Sequence, residues 1–355
     1  MRLLLVTLAL LLAGCGGIAG TSQSVLPPRL AEQTSGTDAL LIAAHAVSER
    51  VVWVSGTGGT VGRTTDGGAT WALGVVPDAD TLQFRDVVGF DAQTALALSI
   101  GSGAASRIVK TTDGGATWRT VWVNDEPDAF FDGIAFWGER RGVGYSDSVD
   151  GRYVLIATDD GGDTWARLPA DAAPPASDGE GGFAASGTLV HTRGDRLGWI
   201  ATGNGTVARV LRTADAGATW GAADLPLVTG EARGATTVTF RDDRRGVAIG
   251  GDLTAPDVVQ DSTVAITTDG GRTWAPGGRL PFPGAAYGAA YVPGSAQGAG
   301  TDALLAVGPG GAGVSRDDGR TWQLLDGRTF WGVAAASADA AWLTGPEGRI
   351  VRVRL

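Results

Sequence analysis

Six polar residues are the candidates for binding chemistry in this sequence. They are Arg85, Asp86, Asp132, Glu180, Ser186 and Arg233. Guanidinium, carboxylate and hydroxyl groups that converge on one opening would form a small polar site or a docking surface. The same groups could instead pair with one another as solvated ion pairs that plug the opening and orient its walls. Both interpretations require a fold that gathers residues from distant parts of the chain.

A second set of candidates is a series of aspartates with glycine neighbours, which suggests calcium loops. Each lies in the pattern Ser/Thr-x-Asp-x-Gly-x-Thr-Trp, and the aspartates are Asp66, Asp113, Asp160, Asp215, Asp269 and Asp317. The pattern lacks the alternating oxygen ligands of a calcium loop. A turn explains it better: Asp66 can accept backbone N–H bonds, Gly68 permits a positive φ, and Thr70 can bond back locally.

The remaining motifs argue against cofactor chemistry. The run Gly308 to Gly313 has the three spaced glycines of a dinucleotide fingerprint, but a new repeat begins at Ser315 where a helix should follow, so we interpret the run as a hairpin connection. His45 and His191 are far apart, have no cysteine partner, and are interpreted as solitary strand residues. The sequence therefore predicts no metal, no cofactor and no enzyme activity.

The repeats that carry these aspartates predict the fold. They end at Trp71, Trp118, Trp165, Trp220, Trp274 and Trp322, with spacings of 47, 47, 55, 54 and 48 residues. Three short apolar runs precede a repeat, as at 84–90, 94–99 and 107–111, and the tryptophan starts a fourth strand. The tryptophan ring is expected to pack between neighbouring sheets. Four-stranded antiparallel units of this length are typical of the blades of an all-β propeller. Repeat alignment predicts that the six candidate binding residues lie at the starts of the innermost strands, which line the central channel of a propeller.

The ends of the chain set the number of blades. After Trp322 three more strands are predicted, near 330–333, 341–344 and 349–353, with no fourth. The segment 24–32 precedes the first complete blade, whose inner strand is expected at 39–46, and can supply the missing outer strand. The prediction is a single seven-bladed propeller over residues 25–355, with the last blade closed by the N-terminal strand. The alternative is six blades with a C-terminal appendage.

Several stretches carry a resemblance to a known group of proteins. The repeats resemble Asp-box, or bacterial neuraminidase, repeats. Four further stretches resemble bacterial secreted propellers similar to photosystem II assembly factors: Phe84-Arg85-Asp86, the run 131–137, Gly179-Glu180 leading to 185–188, and the run 342–345. The resemblance implies a seven-bladed protein that helps to assemble or stabilise a protein complex. Function carried over from fold alone is analogy.

The N-terminus predicts the location. Residues 1–14 have a basic start and an apolar run too short to span a bilayer, and Leu12-Ala13-Gly14-Cys15 resembles a bacterial lipobox. The alternative is a plain signal peptide with a chance cysteine. We expect cleavage before Cys15, lipidation of its thiol, a flexible tether over 15–24, and an exported lipoprotein that faces the periplasm or the cell surface.

The predicted function is a non-catalytic binding or assembly scaffold of the cell envelope. Its partner would be an envelope protein or an exposed protein segment, or alternatively a carbohydrate. The formal net charge of −10 argues against nucleic acid, and membrane contact is expected through the lipid anchor alone. We expect a monomer.

The alternative functions are a sialidase-like glycoside hydrolase and a carbohydrate-binding surface protein. A sialidase domain has six blades and needs a tyrosine nucleophile paired with a glutamate. A carbohydrate-binding protein would use exposed tryptophans instead. Trp137 and Trp331, which are expected on inner strands, could form a rim for protein contact or pack between blades.

Overall fold

The computed structural model describes residues 27–296 and 300–355, and this part of the chain forms seven four-stranded antiparallel sheets. The first strand in the chain is β1 (Arg29–Gln33). Blade 1 contains β2 (Leu41–Ala46), β3 (Val52–Gly56), β4 (Thr60–Thr64) and β5 (Ala72–Val75). Blade 2 contains β6 (Phe84–Gly89), β7 (Ala95–Ser99), β8 (Arg107–Thr111) and β9 (Arg119–Val123). Blade 3 contains β10 (Phe131–Trp137), β11 (Arg141–Val149), β12 (Arg152–Thr158) and β13 (Ala166–Arg167).

Blades 4 to 7 continue the ring in chain order. Blade 4 contains β14 (Val190–Arg193), β15 (Leu197–Ala201), β16 (Arg209–Thr213) and β17 (Gly221–Asp224). Blade 5 contains β18 (Arg233–Phe240), β19 (Gly246–Asp252), β20 (Val264–Thr267) and β21 (Ala275–Pro276). Blade 6 contains β22 (Gly288–Val292), β23 (Ala303–Gly308), β24 (Gly311–Ser315) and β25 (Gln323–Asp326). Blade 7 contains β26 (Gly332–Ser337), β27 (Ala340–Thr344) and β28 (Ile350–Arg354), with β1 as its outer strand.

The N-terminal strand closes the ring, as predicted. Strand β1 pairs antiparallel with β28, in a register that runs from Arg29 opposite Arg354 to Gln33 opposite Ile350. The side-chain amide Nε2 of Gln33 also donates to the Gly67 carbonyl of blade 1 at 3.0 Å. The seven-blade prediction is confirmed and the six-blade alternative is wrong. The predicted signal peptide, the tether and Cys15 lie outside the described residues.

The Asp-box turns have the predicted bonding. Asp66 Oδ1 accepts the Thr70 amide at 2.9 Å, and Asp66 Oδ2 accepts the Thr70 hydroxyl at 2.7 Å. The Gly68 amide donates to Thr64 Oγ1 at 2.8 Å, and Gly68 has a φ of +86°. Hydrogen bonds from Thr70 and Thr64 lower the pKa of Asp66 to about 2, so the carboxylate is charged at neutral pH. The other five boxes repeat these contacts, and their aspartates are therefore structural.

Apolar clusters between neighbouring blades form the core. Trp53, Trp199 and Trp342, all on second strands, are completely buried. The box tryptophan Trp118 is only partly buried and packs edge-on against Trp53, with ring centroids 6.2 Å apart. The box rings do pack between sheets, but each is less completely buried than the second-strand tryptophans. Trp137 also belongs to this packing, because it is buried and donates to the Leu197 carbonyl of blade 4 at 2.6 Å.

Basic side chains join neighbouring blades at the outer end of the interface. Lys110 Nζ of blade 2 donates to the Gly161 carbonyl of blade 3 at 2.9 Å, and Arg212 Nε of blade 4 donates to the Gly270 carbonyl of blade 5 at 2.8 Å. Both acceptors are the glycine that follows the box aspartate, and both donors stand three residues before a box aspartate. In the described part of the chain, no helix is long and apolar enough to cross a membrane.

Candidate functional site

The inner strands of all seven blades surround a central channel of about 660 Å³. These strands begin at one mouth and end at the other. The closed mouth, where the inner strands begin, is covered by the segment 180–189, here called the plug segment. The open mouth, where the strands end, leads into the channel past residues such as Phe90, Phe136 and Tyr291.

The plug segment crosses the channel axis. Arg85 Nη1 of blade 2 donates to the Ala184 carbonyl at 3.0 Å. On the opposite side, Ser186 Oγ donates to the Tyr287 carbonyl before blade 6 at 2.6 Å. The segment leads into blade 4, and neither blade 2 nor blade 6 is a neighbour of blade 4 in the ring. Simultaneous contact with both therefore requires the segment to lie across the mouth.

This segment corrects part of the sequence interpretation. Glu180 and Ser186 were placed at the start of an inner strand by repeat alignment, but the inner strand of blade 4 begins at Val190. Ten residues before it form the plug instead. The signal was the spacing of 55 residues between Trp165 and Trp220, against 47 in the first repeats.

Asp86 is buried at the inner end of the closed mouth, with 3% of its surface exposed. Its Oδ2 accepts the Ile134 amide of blade 3 at 2.7 Å. Burial raises the pKa of Asp86 to about 8, although the hydrogen bonds from Ile134 and Val87 act in the opposite direction. A Cβ at Gly187 would lie 2.5 Å from Asp86 Oδ1, so the plug backbone approaches the carboxyl closely because this residue is glycine.

Buried Asp132 and partly buried Asp147 form a carboxyl pair beneath the plug segment. Burial and the neighbouring charge of Asp147 raise the pKa of Asp132 well above its usual range, and burial also raises that of Asp147. Asp147 Oδ1 accepts the Gly182 amide at 2.6 Å, which ties the plug to the pair. A Cβ on Gly182 would come within 2.8 Å of Asp132 Oδ2.

Glu180 anchors the start of the plug segment. It is 1% exposed, and its carboxylate pairs with Arg209 and accepts the Thr202 hydroxyl at 2.6 Å and the Ser177 amide at 2.9 Å. Burial acts to raise the pKa of Glu180, but the hydrogen bonds from Arg209, Thr202 and Tyr153 outweigh it and hold the pKa below its usual value. Glu180 is thus a buried ion-pair partner.

The six predicted residues fall into two groups. Arg85, Asp86, Asp132 and Ser186 meet around the plug segment, as the convergence hypothesis predicts. Glu180 lies farther out with Arg209, and Arg233 pairs with Asp252 of its own blade at 2.8 Å while its side chain stays 48% exposed. Four of the six are buried and therefore shielded from solvent: Asp86, Asp132, Glu180 and Ser186. Whether any of the six binds a partner stays a prediction.

The open mouth has a charged rim, and the channel behind it is lined by both apolar and polar side chains. Arg241 pairs with Asp318 at 2.8 Å, and the Tyr291 hydroxyl donates to the same carboxylate at 3.2 Å. Inside, burial lowers the pKa of His45 and of His191 to about 4, so both imidazoles are neutral at neutral pH. Both lie on strands, as predicted, and these are the inner strands of blades 1 and 4. No group of three or more metal-ligating side chains occurs in the described ranges.

Trp331 lies at the other end of the channel from this rim. Its ring packs edge-on against Tyr287, with centroids 4.9 Å apart. It stands just before the inner strand of blade 7, beside the plug segment. With Trp137 buried between blades 3 and 4, the two tryptophans form no common rim.

Comparison with solved structures gives the same architecture. The structure titled "YCF48 bound to D1 peptide" matches with a TM-score of 0.62 at 17% identity, over 94% of this chain and 96% of that chain. YCF48 from Cyanidioschyzon merolae matches with a TM-score of 0.59 at 15% identity, over 92% and 98%. This chain has the fold of the YCF48 propellers. The expected likeness to photosystem II assembly-factor propellers is confirmed at the level of the fold.

The fold is also shared more widely. A structure titled "Structure of U3-55K" matches with a TM-score of 0.62 at 11% identity, over 92% of this chain and 98% of that chain. No protein-family model and no curated protein matches the chain. At identities this low the likeness describes backbone architecture, and the ligand must be argued from the site.

Proposed function

We propose that this protein is a non-catalytic scaffold that holds an extended segment of another protein at the open mouth of its channel. The observation that carries the proposal is a channel of about 660 Å³ with one mouth sealed by the plug segment and the other open. A channel lined by both apolar and polar side chains suits a chain end or loop tip, because apolar side chains of the peptide can be buried while its polar groups form hydrogen bonds.

The structural neighbours support a peptide as the occupant. One neighbour of the same fold is YCF48 bound to D1 peptide, and we extend peptide binding to this chain by analogy. Glu180, a buried acid of the closed mouth, is held in an ion pair with Arg209. This pairing favours a structural role for Glu180 over a role as an acid/base catalyst.

One contact supports the sialidase alternative, but the surrounding geometry argues against it. Tyr153 and Glu180 lie together, which are the residue types of a sialidase nucleophile pair. However, Arg209 Nη2 donates to the Tyr153 hydroxyl at 2.9 Å, and both Tyr153 and Glu180 are buried. The ring also has seven blades where the sialidase alternative required six.

We further propose that the scaffold works in the cell envelope, on a lipid attached to Cys15. The support is the sequence Leu12-Ala13-Gly14-Cys15 after a short apolar run. A lipid on Cys15 and a tether over 15–24 would leave the channel free to meet envelope proteins.

The experiment is site-specific photocrosslinking in detergent-solubilised envelopes. A photoreactive residue at position 290 reports on the channel, and one at position 233 reports on the closed-mouth face. The crosslinked segment is then synthesised, and its affinity is measured for wild type, Ala290→Trp, and an Arg85→Ala/Arg233→Ala double variant. We expect crosslinks from position 290 and a loss of affinity in Ala290→Trp, whose indole would fill part of the channel. Crosslinks confined to position 233, with binding lost in the double variant, would move the site to the closed mouth and contradict the proposal.

A further inference from the structure

The interface between blades 4 and 5 places two arginines side by side. Arg212 Nε donates to the Gly270 carbonyl at 2.8 Å, and a Cβ on Gly270 would lie 3.7 Å from Arg272 Nη1. Burial and the like charge of Arg272 lower the pKa of Arg212. Within the described residues, neither guanidinium forms an ion pair with a carboxylate. Two adjacent positive charges therefore lie together without a directly paired carboxylate, although the nearby charge of Asp269 acts to raise the pKa of Arg212.

The equivalent place between blades 2 and 3 is filled by a carboxylate. There Lys110 occupies the position of Arg212, and Asp163 occupies that of Arg272. Lys110 Nζ lies 2.6 Å from Asp163 Oδ1, and Arg119 contacts the same oxygen. Lys110 also donates to the Gly161 carbonyl, just as Arg212 donates to that of Gly270. The interface between blades 2 and 3 thus shows that a carboxylate fits beside a basic side chain at this position of the repeat.

The interface between blades 4 and 5 also has open space where a long side chain occupies the interface between blades 2 and 3. Gly221 replaces Arg119 after the box tryptophan, and Ala222 and Ala223 follow it. With Arg212 and Arg272 these small residues line a surface groove of about 510 Å³. The absence of long side chains lets an external group approach both guanidiniums.

The acids near the groove are already engaged. Asp215 lines it, but its Oδ1 accepts the Thr219 amide at 2.9 Å and its Oδ2 accepts the Thr219 hydroxyl at 2.6 Å. Asp269, on the blade 5 side, makes the same box contacts with Thr273. These carboxylates are held in their own turns and do not pair with Arg212 or Arg272.

We infer that this groove is an anion-binding subsite that accepts a carboxylate from a ligand, in the place that Asp163 fills between blades 2 and 3. A guanidinium matches a carboxylate in charge and in planar geometry, and two of them can bind it from both sides. The site lies at the outer end of a blade interface, apart from the channel, so it does not depend on the proposed function.

The test uses three probes at constant ionic strength. The peptide acetyl-Gly-Asp-Gly-amide offers a side-chain carboxylate, acetyl-Gly-Gly offers a C-terminal carboxylate, and inorganic phosphate is the third probe. NMR follows the Nε–Hε resonances of Arg212 and Arg272. We expect saturable shifts of both resonances with at least one of the two peptides, and the tighter peptide identifies the source of the carboxylate. The Asn version of the first peptide and the amide of the second should cause none.

Two variants and one control complete the test. Arg272→Ala should weaken carboxylate binding by about tenfold or more, the loss expected for a charged hydrogen bond. Arg272→Asp should abolish binding and raise the melting midpoint, because the new carboxylate would pair with Arg212 as Asp163 pairs with Lys110. The control is Arg320→Ala, because Arg320 has the position of Arg272 in the box of blade 6. At the interface between blades 5 and 6, Ile266 stands at the position equivalent to Arg212, so Arg320 has no arginine beside it there. Binding by this variant should match wild type.

Four outcomes would overturn the inference. Equal shifts with the neutral peptides would show that charge is not recognised, and binding by phosphate alone would assign the groove to another anion. A loss of binding in Arg320→Ala equal to that in Arg272→Ala would indicate general charge screening. A lower melting midpoint in Arg272→Asp would contradict the equivalence with the blade 2 and 3 interface. Partner capture through the channel would be unaffected by any of these results.

Discussion

Replacement of Glu180 by alanine should destabilise the whole propeller by about 3–5 kcal/mol, because it leaves the guanidinium of Arg209 without its buried partner. Arg209 is 14% exposed and Glu180 is completely enclosed, so water cannot replace the lost carboxylate fully. The substitution also removes the acceptor of the Thr202 hydroxyl and of the Ser177 amide. Glu180→Gln keeps an acceptor for some of these donors and should cost less.

Urea unfolding at neutral pH measures this change, and Arg233→Ala is the matched control. Arg233 forms one half-exposed ion pair, so its removal should cost less than about 1 kcal/mol. Amide hydrogen exchange over 181–186 should speed up in Glu180→Ala more than in the control, because Glu180 anchors the plug segment. A stability change below about 1 kcal/mol for Glu180→Ala would refute the reasoning.

Glu180 also makes the free energy of unfolding depend on pH. The folded-state pKa of Glu180 is lowered from 4.5, so its contribution is fully present above the unfolded pKa and is lost as the pH falls through the folded value. The difference in unfolding free energy between wild type and Glu180→Gln should therefore shrink in acid. A difference that stays constant from neutral pH into acid would contradict the lowered pKa.

Three further predictions concern the anchor, the ring closure and a buried acid. Cys15→Ser should release the protein from membranes and prevent incorporation of a labelled fatty acid; an unlabelled, soluble wild type would refute the lipoprotein hypothesis. Deletion of residues 22–36 should lower the melting midpoint, because β28 loses its partner strand at the ring closure; an unchanged midpoint would show that β1 contributes nothing to closure. The folded pKa of Asp86 is raised to about 8, so its proton stabilises the fold in acid and this contribution is lost as the pH rises through that value. Asp86→Asn should therefore raise the melting midpoint at about pH 9 more than at about pH 5, and equal shifts would contradict the raised pKa.

The Asp boxes could be interpreted from the sequence because their contacts are local. In each box the aspartate bonds to residues two to four positions away, so the pattern contains the whole turn. Seven blades followed from counting three strands after Trp322 and a spare segment at the other end. The order of antiparallel strands within a blade needs no long-range information, and that part of the fold was predicted correctly.

The plug segment could not be predicted in the same way. Its defining contacts join Arg85 to Ala184 and Ser186 to Tyr287, pairs that are 99 and 101 positions apart. Repeat alignment assumed that the residues before Val190 continue an inner strand as in other blades. The long spacing before Trp220 indicated an insertion. A count of residues does not show where the inserted residues lie, so it could not show that they fold over the channel.

The sequence by itself determined the blade architecture and its closure, because these depend on short-range turn chemistry and on the number of repeats. Only the tertiary structure decided which charges are buried and which face each other. It placed Asp132 beside Asp147 and Glu180 against Arg209, contacts that no local pattern in the sequence indicates. It also brought Arg212 next to Arg272 across a blade interface, since residues from consecutive repeats meet when the ring closes and a pair interaction depends on distance in space.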